Sequence, residues 1–339
     1  MEEIFLLIDY RGQFYSSTKH RGAAVDLEKL TDYFKGCGYK LKVIPFSEVD
    51  FRTQNYKNCW VLYQSSEDPG LYYQSYVEDI ILGLTIQGAK IIPNFQQFRA
   101  HHNKHFMEIL RDTHFLSDIK NIKSSRYGTY EDYLKDISKF KDGVFVLKSS
   151  ETSKSRGVSL LTDIQGKLSL PKAVSNTPSL KNFSYFLERL KTGNKPLRIS
   201  NNRKKFILQP YIDQLKGDYR IVVYGNKFYV LYRSNRSNDF RASGSMRFNY
   251  NVEVPEGLLD YAKKVFNSFD APYLAMDIGV KNGEFFLFEF QFLSFGQYTL
   301  EKSKFFYHQN DGGWKKESET PVLEREISNS VKEFIKKHP

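Results

Sequence analysis

The chain is poor in cysteine. Cys37 and Cys59 are the only two in 339 residues, which excludes a disulfide framework and predicts a reducing, cytosolic setting. It also lacks long apolar runs: Val144–Leu147 and Phe285–Phe288 fall far short of the roughly 18 apolar residues that a membrane-spanning helix needs. The opening residues MEEIFLLIDYRG carry neither the basic start nor the small-residue cleavage site of a secretory signal. No GxxxxGK[ST] phosphate loop, internal repeat or low-complexity tract is present. What remains is 40% hydrophobic and 16% aromatic, ample for a sizeable core in a chain about two average domains long.

Net charge is +11, and its distribution is uneven. Between Lys148 and Phe206 thirteen Lys/Arg face three acids, so this stretch carries +10 of the total. One basic segment in an otherwise near-neutral chain suits a local anionic ligand better than a nucleic-acid surface, although a solvated loop face is the plain alternative.

Three segments follow one another. Residues 1–93 alternate strands (EIFLLID, KLKVIPF, CWVLYQ, AKIIP) with helices near 24–38 and 76–88, the pattern of a parallel α/β layer. Residues 94–206 open with a helix from about Ala100 to Arg111; the strands GVFVLKSS and VSLLTD then flank a polar loop, and a helix is expected over 179–191. Residues 207–339 hold hairpins through Gly225-Asn226 and Asn282-Gly283, and end in an amphipathic helix with Leu323, Ile327, Val331 and Phe334 on one stripe. That stripe serves either internal packing or a dimer seam.

The strands YLAMDIGV (273–280) and EFFLFEFQ (284–291) carry carboxylates among apolar residues. Alternation puts Leu287, Glu289 and Gln291 on one face. A three-residue loop with Gly283 as the left-handed residue pairs Asp277 with Leu287 and brings Asp277 to that face; a two-residue Asn-Gly turn would set it opposite Phe288 instead. Such acids need either a hard cation such as magnesium or arginine partners. In GDYRIVVYGNKFYVLYRS (217–234) a two-residue turn sets Asp218 opposite Arg233 and Arg220 opposite Leu231. Arg220 lies inside an apolar strand, whereas Arg233 reads equally well as a surface ion pair. Arg241 follows in the Gly/Ser-rich loop FRASGS, suited to approach an anion.

The order of these parts resembles the ATP-grasp superfamily over roughly residues 94–296. It runs from Asn103-Lys104 opening a helix, through a strand lysine (Lys148) before a Ser/Gly loop (Ser149 to Gly157) and a hinge strand (Gln209-Pro210-Tyr211-Ile212). Asp218 and Arg220 follow on one strand, then the Phe-Arg-Ala loop (Arg241), then Asp277, Glu289 and Gln291. The resemblance implies an α/β (α+β) fold with an N-terminal pre-ATP-grasp domain (1–93), a central lid domain (94–206) and a C-terminal antiparallel-sheet domain (207–339). It implies that Lys104 and Lys148 touch ATP phosphates, and that Ser149, Ser150, Ser155 and Gly157 belong to the lid loop. Gln209, Pro210, Tyr211 and Ile212 would flank adenine, with Asp218 and Leu287 completing the nucleotide site. Asp277, Glu289 and Gln291 would hold magnesium, while Arg220 and Arg241 stabilise the transferring phosphoryl group and an acyl phosphate. Two positions depart from the pattern: Pro210 stands where an acid is common, and Gln291 stands for asparagine.

The activity implied is an ATP- and magnesium-dependent ligase joining the carboxylate of a small molecule or sugar acid to an amine. Alternatives are a small-molecule kinase, a peptide-modifying ligase and a catalytically silent nucleotide- or nucleic-acid-binding module. The turn SSEDPG (65–70), with Asp9 and Arg11, follows strands at the end where ligands touch parallel sheets.

Overall fold

The structure is a computed structural model that describes residues 1–14, 25–65, 68, 70–115, 119, 121–140, 143–152, 157–164, 166–177, 184, 187, 190–193, 199–237, 239–293 and 297–339. The chain divides into two compact units, one of residues 1–101, 114–119 and 215–339, the other of residues 102–113 and 120–214.

The first unit begins with β1 (Glu2–Ile8), α1 (Leu27–Gly36), β2 (Tyr39–Pro45), β3 (Trp60–Tyr63), α2 (Tyr72–Ile86), β4 (Lys90–Ile92) and α3 (Phe95–His101). The strands form a parallel sheet in the order β2-β1-β3-β4. Its alternation feeds two cores: Ile4 and Leu6 of β1 join Leu30 and Phe34 of α1, while Phe5 and Leu7 join Ile81 and Leu84 of α2. Asp26 caps α1 by accepting from the Glu28 and Lys29 N–H groups, which fixes where the helix starts.

The second unit contains α4 (Lys104–His114, its last residue in the first unit), β5 (Ser125–Tyr127), α5 (Tyr130–Asp136), β6 (Phe145–Ser149), β7 (Val158–Leu161), α6 (Ser169–Ser175) and β8 (Phe206–Pro210). Its antiparallel sheet runs β5-β8-β6-β7 over a core of Tyr127, Tyr133, Leu147, Leu161, Phe206 and Leu208. The single helix expected from about Ala100 to Arg111 is two helices, because the Asn103 carboxamide accepts from the Phe106 N–H and starts α4 afresh. The helix expected over 179–191 lies largely outside the described residues.

The first unit resumes with β9 (Gly217–Tyr224), β10 (Lys227–Ser234), β11 (Phe248–Asn249), α7 (Leu258–Asn267), β12 (Tyr273–Lys281), β13 (Glu284–Gln291), α8 (Tyr298–Glu301), β14 (Phe305–Asn310), β15 (Gly313–Ser318) and α9 (Leu323–Lys337). These strands form an antiparallel sheet in the order β13-β12-β9-β10-β14-β15, with β11 added against β10. The β14–β15 hairpin turns at Asp311-Gly312, a turn dipeptide between two strand-like runs that the sequence reading passed over.

The β9–β10 register is the one expected, with Asp218 opposite Arg233 and Arg220 opposite Leu231. The β12–β13 hairpin corrects the expectation. Lys281 pairs with Glu284 across a two-residue turn whose Asn282 (φ 51°) and Gly283 (φ 79°) are both left-handed. Alone, that turn would put Asp277 opposite Phe288. Instead the register shifts between Asp277 and Ile278, Phe288 is the extra residue of a β-bulge, and Asp277 pairs with Glu289. Leu287 pairs with Ile278, so the bulge separates it from the face that Glu289 and Gln291 share with Asp277. Gly279 makes room: a Cβ there would lie 2.5 Å from the Phe288 ring.

Val222, Tyr224, Tyr273 and Ala275 of the antiparallel sheet share one core with Ile4, Leu6 and Leu62 of the parallel sheet and with Leu323, Ile327 and Val331 of α9. The C-terminal stripe therefore packs internally, and Phe334 meets Trp60 edge-on at 6.1 Å. Among the described residues no helix is long and apolar enough to cross a membrane. Because both sheets draw on this core, Ile327→Ala should cost about 2–5 kcal/mol. Urea unfolding followed by near-UV and far-UV circular dichroism should show the whole first unit moving in one earlier transition.

Candidate active site

Four adjacent strands bring six charged or amide side chains to one face of the antiparallel sheet. Asp277 of β12 sits between Arg220 of β9, its neighbour on one side, and Glu289 of β13 on the other. Arg220 Nη1 donates to Asp277 Oδ1 at 2.9 Å, and Arg233 Nη2 reaches Asp277 Oδ2 at 2.8 Å. Arg233 also grips Asp218 with two bonds, Nε to Oδ1 at 2.7 Å and Nη2 to Oδ2 at 2.8 Å. Arg233, only 2% exposed, is thus no surface ion pair; it bridges two buried carboxylates. Its position directly opposite Asp218 was in the sequence, but its burial was not.

Gln291 uses its extra methylene to serve two neighbours. Its Oε1 accepts from Arg220 Nη2 at 2.9 Å, and its Nε2 donates to Glu289 Oε1 at 3.3 Å. Glu289 itself is half-buried, and among the described residues no cationic side chain lies within ion-pair distance of it. Arg220 Nε is buried and lacks a hydrogen-bond partner among the described residues. The face therefore offers one uncompensated carboxylate beside a fixed guanidinium.

Burial works to raise the Asp277 carboxyl, but Arg233 and Arg220 together outweigh it and hold the group below its ordinary value. Asp218 goes the other way. Burial raises it, the nearby Asp277 charge adds to that, and Arg233 does not fully compensate.

A divalent cation fits the chemistry of this donor set. Glu289, Asp277 and Gln291 supply oxygens of the hard kind that magnesium takes, with a ligand's phosphate oxygens and water completing the shell. Among the described residues no three His, Cys, Asp or Glu side chains form a metal cluster. Asp277 already has both oxygens on arginines, so Glu289 is the carboxylate with capacity to spare.

Other residues named from the sequence lie elsewhere. Arg241 is held by Asp239, with its Nη2 2.7 Å from Oδ2, and no described contact joins it to the Asp277 cluster. Asp9 is buried at the carboxyl end of β1, where it accepts from the Arg11 guanidinium and from the Arg11 and Gln13 N–H groups. Leu287 is fully buried on the other face of β13. Ser155 lies outside the described residues, as does part of 65–70.

In the second unit Lys148 is the next-to-last residue of β6 and pairs with Val158 and Ile207. Ser149 closes the root of the polar loop by donating its N–H to Gly157 O at 2.8 Å. Gly157 (φ 68°) is needed there, since a Cβ would lie 2.9 Å from Ser149 Cβ. Lys104 donates through Nζ to Thr152 O within the same loop. Ser150 is buried and fully committed: its carbonyl accepts from Lys104 N–H, and its hydroxyl accepts from His105 N–H and donates to Asn103 Oδ1. The first amides of α4 are thereby satisfied by protein groups.

On β8 the Gln209 side chain turns inward, to Glu108 Oε1 at 2.9 Å and Ser124 Oγ at 3.0 Å. The Tyr211 N–H is given to Val144 O, while Pro210 is exposed and Ile212 half-buried. The pair Glu108 and Arg111 escaped the sequence reading, although an i, i+3 acid and arginine on the apolar side of a helix is its visible signal.

The two aspartates around Arg233 should titrate in a fixed order. Carboxyl carbon NMR across an acid titration should show Asp218 protonating above the ordinary aspartate range and Asp277 below it. The sign for stability follows: the part contributed by Asp277 is present at neutral pH and lost as pH falls through its lowered pKa. Asp218 contributes oppositely, its share being lost as pH rises through its raised pKa. Arg233→Met should raise both acids and keep this order, because Asp277 retains Arg220 whereas Asp218 loses the arginine bonded to it.

No protein-family model matches the sequence, and no curated protein sequence matches it. Solved structures do match the fold. A D-cycloserine synthetase is 13% identical, with 98% of this chain and 99% of that one covered and a TM-score of 0.55. A RimK domain ATP-grasp protein from Sphaerobacter thermophilus is 12% identical, with 98% and 99% covered and a TM-score of 0.53. A RiPP-associated ATP-grasp ligase from Chryseobacterium gregarium, solved with ADP and a leader and core peptide, is 14% identical, with 100% and 98% covered and a TM-score of 0.54. Superposition over nearly the whole chain shows that this chain has the ATP-grasp fold.

Proposed function

We propose that the chain is an ATP- and magnesium-dependent ligase that joins a carboxylate to an amine through an acyl phosphate, releasing ADP and phosphate. The observation that carries this reading is the face on which Glu289, Asp277, Gln291 and Arg220 converge, in a chain of ATP-grasp fold.

Amide formation from a carboxylate needs a better leaving group than oxide. A carboxylate oxygen attacks the γ-phosphorus of ATP, the bond to ADP breaks, and an acyl phosphate forms. The amine nitrogen then attacks the acyl carbon, the bond to phosphate breaks, and the nitrogen's extra proton passes to solvent. Neither step needs a protein nucleophile; positioning and charge neutralisation suffice. Magnesium, held by Glu289, Asp277 and Gln291, would supply charge neutralisation at the transferring phosphoryl group.

On this reading Arg220 holds a fixed positive charge toward that group, because Asp277 and Gln291 pin its guanidinium. Arg241 would serve the acyl phosphate, with Asp239 orienting it. Lys104 and Lys148 would contact the nucleotide phosphates, under the loop that spans Ser149, Ser150, Ser155 and Gly157. Gln209, Pro210, Tyr211 and Ile212 would flank adenine through their remaining backbone groups and apolar surface, with Asp218 supporting the site. Segments 1–93, 94–206 and 207–339 would divide the work into substrate recognition, loop and metal-binding sheet.

The carboxylate and amine belong to a small molecule, a sugar acid or a peptide. The peptide reading is favoured by one observation: a structural neighbour was solved with a leader and core peptide. The basic stretch from Lys148 to Phe206 supports a second reading, a kinase acting on an anionic small molecule.

Product analysis separates these. A ligase releases ADP and phosphate together only when carboxylate and amine are both supplied; a kinase releases ADP without phosphate; a silent module releases neither. Glu289→Gln should lower turnover by at least about a hundredfold, the scale of removing one electrostatic group at a phosphoryl-transfer site, with the melting temperature unchanged. Undiminished turnover in that variant would remove the magnesium role of β13.

A further inference from the structure

The charged row on the antiparallel sheet is nearly balanced by its own side chains. Asp218, Asp277, Arg220 and Arg233 are each 8% exposed or less, and their negative and positive charges cancel. Glu289, half-buried on β13, carries the single negative charge left over. Carboxylate sites for phosphoryl transfer commonly hold two divalent cations about 3.5–4 Å apart, which clamp the attacking and leaving oxygens. The charge in this row suits one.

A guanidinium stands against each oxygen of Asp277: Arg220 Nη1 lies 2.9 Å from Oδ1, and Arg233 Nη2 lies 2.8 Å from Oδ2. A second cation at Asp277 would have to sit beside both arginines or displace one. Beside them it meets like charge in a buried setting, where repulsion is screened least. Displacing one strands a buried guanidinium, and breaking a buried pair is strongly unfavourable. Arg233 is the harder to move, because its Nε and Nη2 also hold Asp218 at 2.7 and 2.8 Å.

Arg220 is moreover placed to do part of a second cation's work. Its Nη2 donates to Gln291 Oε1 at 2.9 Å, so Asp277 and Gln291 fix the group from two strands. Its Nε is buried and has no hydrogen-bond partner among the described residues. A buried charged donor left unpaired is costly, and the oxygen of an anionic ligand is the partner it suits.

We propose that the site takes one divalent cation, at Glu289, and that the guanidinium groups of Arg220 and Arg233 fill the place of a second. Asp277 and Gln291 share that single cation through their remaining lone pairs while staying bound to arginine. Arg233 is a positioning residue, setting the number of cations by keeping Asp277 neutralised. Arg220 offers its Nε to an anionic oxygen of the ligand. That last role rests on the ligase reading; the number of cations bound with no nucleotide present does not.

Manganese(II), which takes the same oxygen ligands as magnesium, is the probe, because its electron spin resonance counts bound ions and shows whether two lie close together. The full chain is titrated with Mn2+ alone, and again with AMP-PNP equimolar to the chain. The parent should bind a single ion in each titration, with the spectrum of an isolated ion. Glu289→Gln should weaken that binding by at least about tenfold, through loss of the one uncompensated carboxylate. Arg233→Met opens Asp277 Oδ2 and should admit a second ion in the presence of AMP-PNP, with the broadened spectrum of a coupled pair. Should that variant fail to fold, Asp218→Asn combined with Arg233→Met removes the stranded acid and leaves the same oxygen open. Two coupled ions on the parent, no bound ion in either titration, undiminished binding in Glu289→Gln, or a single ion in the folded Arg233 variant each overturn the proposal. If AMP-PNP does not bind, the ligase reading falls, and Mn2+ alone decides the proposal: one ion on the parent, lost in Glu289→Gln, upholds it, and any other count sinks it.

Discussion

Asp277 is a carboxylate on the inner face of a sheet, and a buried charge must be neutralised where it stands. Both its oxygens are taken by arginines, Arg220 from the adjacent strand and Arg233 from the strand beyond. Much of the site follows from that requirement. Arg233 is also held by Asp218, which places a second acid in the cluster. Arg220, fixed on one side by Asp277, meets Gln291 on the other, and Gln291 steadies Glu289. A row of charges across four strands thus leaves one carboxylate, Glu289, open for a cation.

The frame around that row is stiff for a separate reason. The parallel and antiparallel sheets of the first unit share one apolar core with α9, so strands far apart in sequence cannot move independently. The second unit has its own apolar core under its sheet, and polar contacts fix α4 beside it. Asn103 and Ser150 satisfy the start of α4, and Glu108 with Arg111 and Gln209 fix its middle. Apolar packing gives cohesion without much directional preference, whereas hydrogen-bonded pairs specify angle and distance. The chain uses the first where strands and helices must stay together and the second where a helix start or a buried acid must be fixed in place.

Local signals made much of this legible in advance. The two-residue turn at Gly225-Asn226 fixes the β9–β10 register, because turn length and side-chain alternation leave one pairing, and Asp218 meets Arg233 as that pairing demands. The stripe of Leu323, Ile327 and Val331 announces the buried face of the last helix. The order of lysine, loop, hinge strand, arginines and acids is a linear property, and so is its resemblance to the ATP-grasp superfamily. The residue types at the centre of the site, oxygen donors and guanidinium groups, were likewise readable from composition along the strands.

Placement was another matter. The sequence determined that Asp277, Glu289 and Gln291 belong to two strands of one hairpin, but not how they come to share a face. A tight Asn282-Gly283 turn alone would have separated them; the bulge at Phe288 reunites Asp277 with Glu289 and sends Leu287 to the opposite side. At that bulge the Phe288 ring lies over Gly279, which is a fact of packing between strands. Arg233 likewise carries no mark of burial in its own neighbourhood, and becomes a bridge only when β12 lies beside β9. Periodicity and turn chemistry act over a few residues and are written in the sequence. Burial and charge neutralisation depend on which distant segments meet, so they were decided by the tertiary structure.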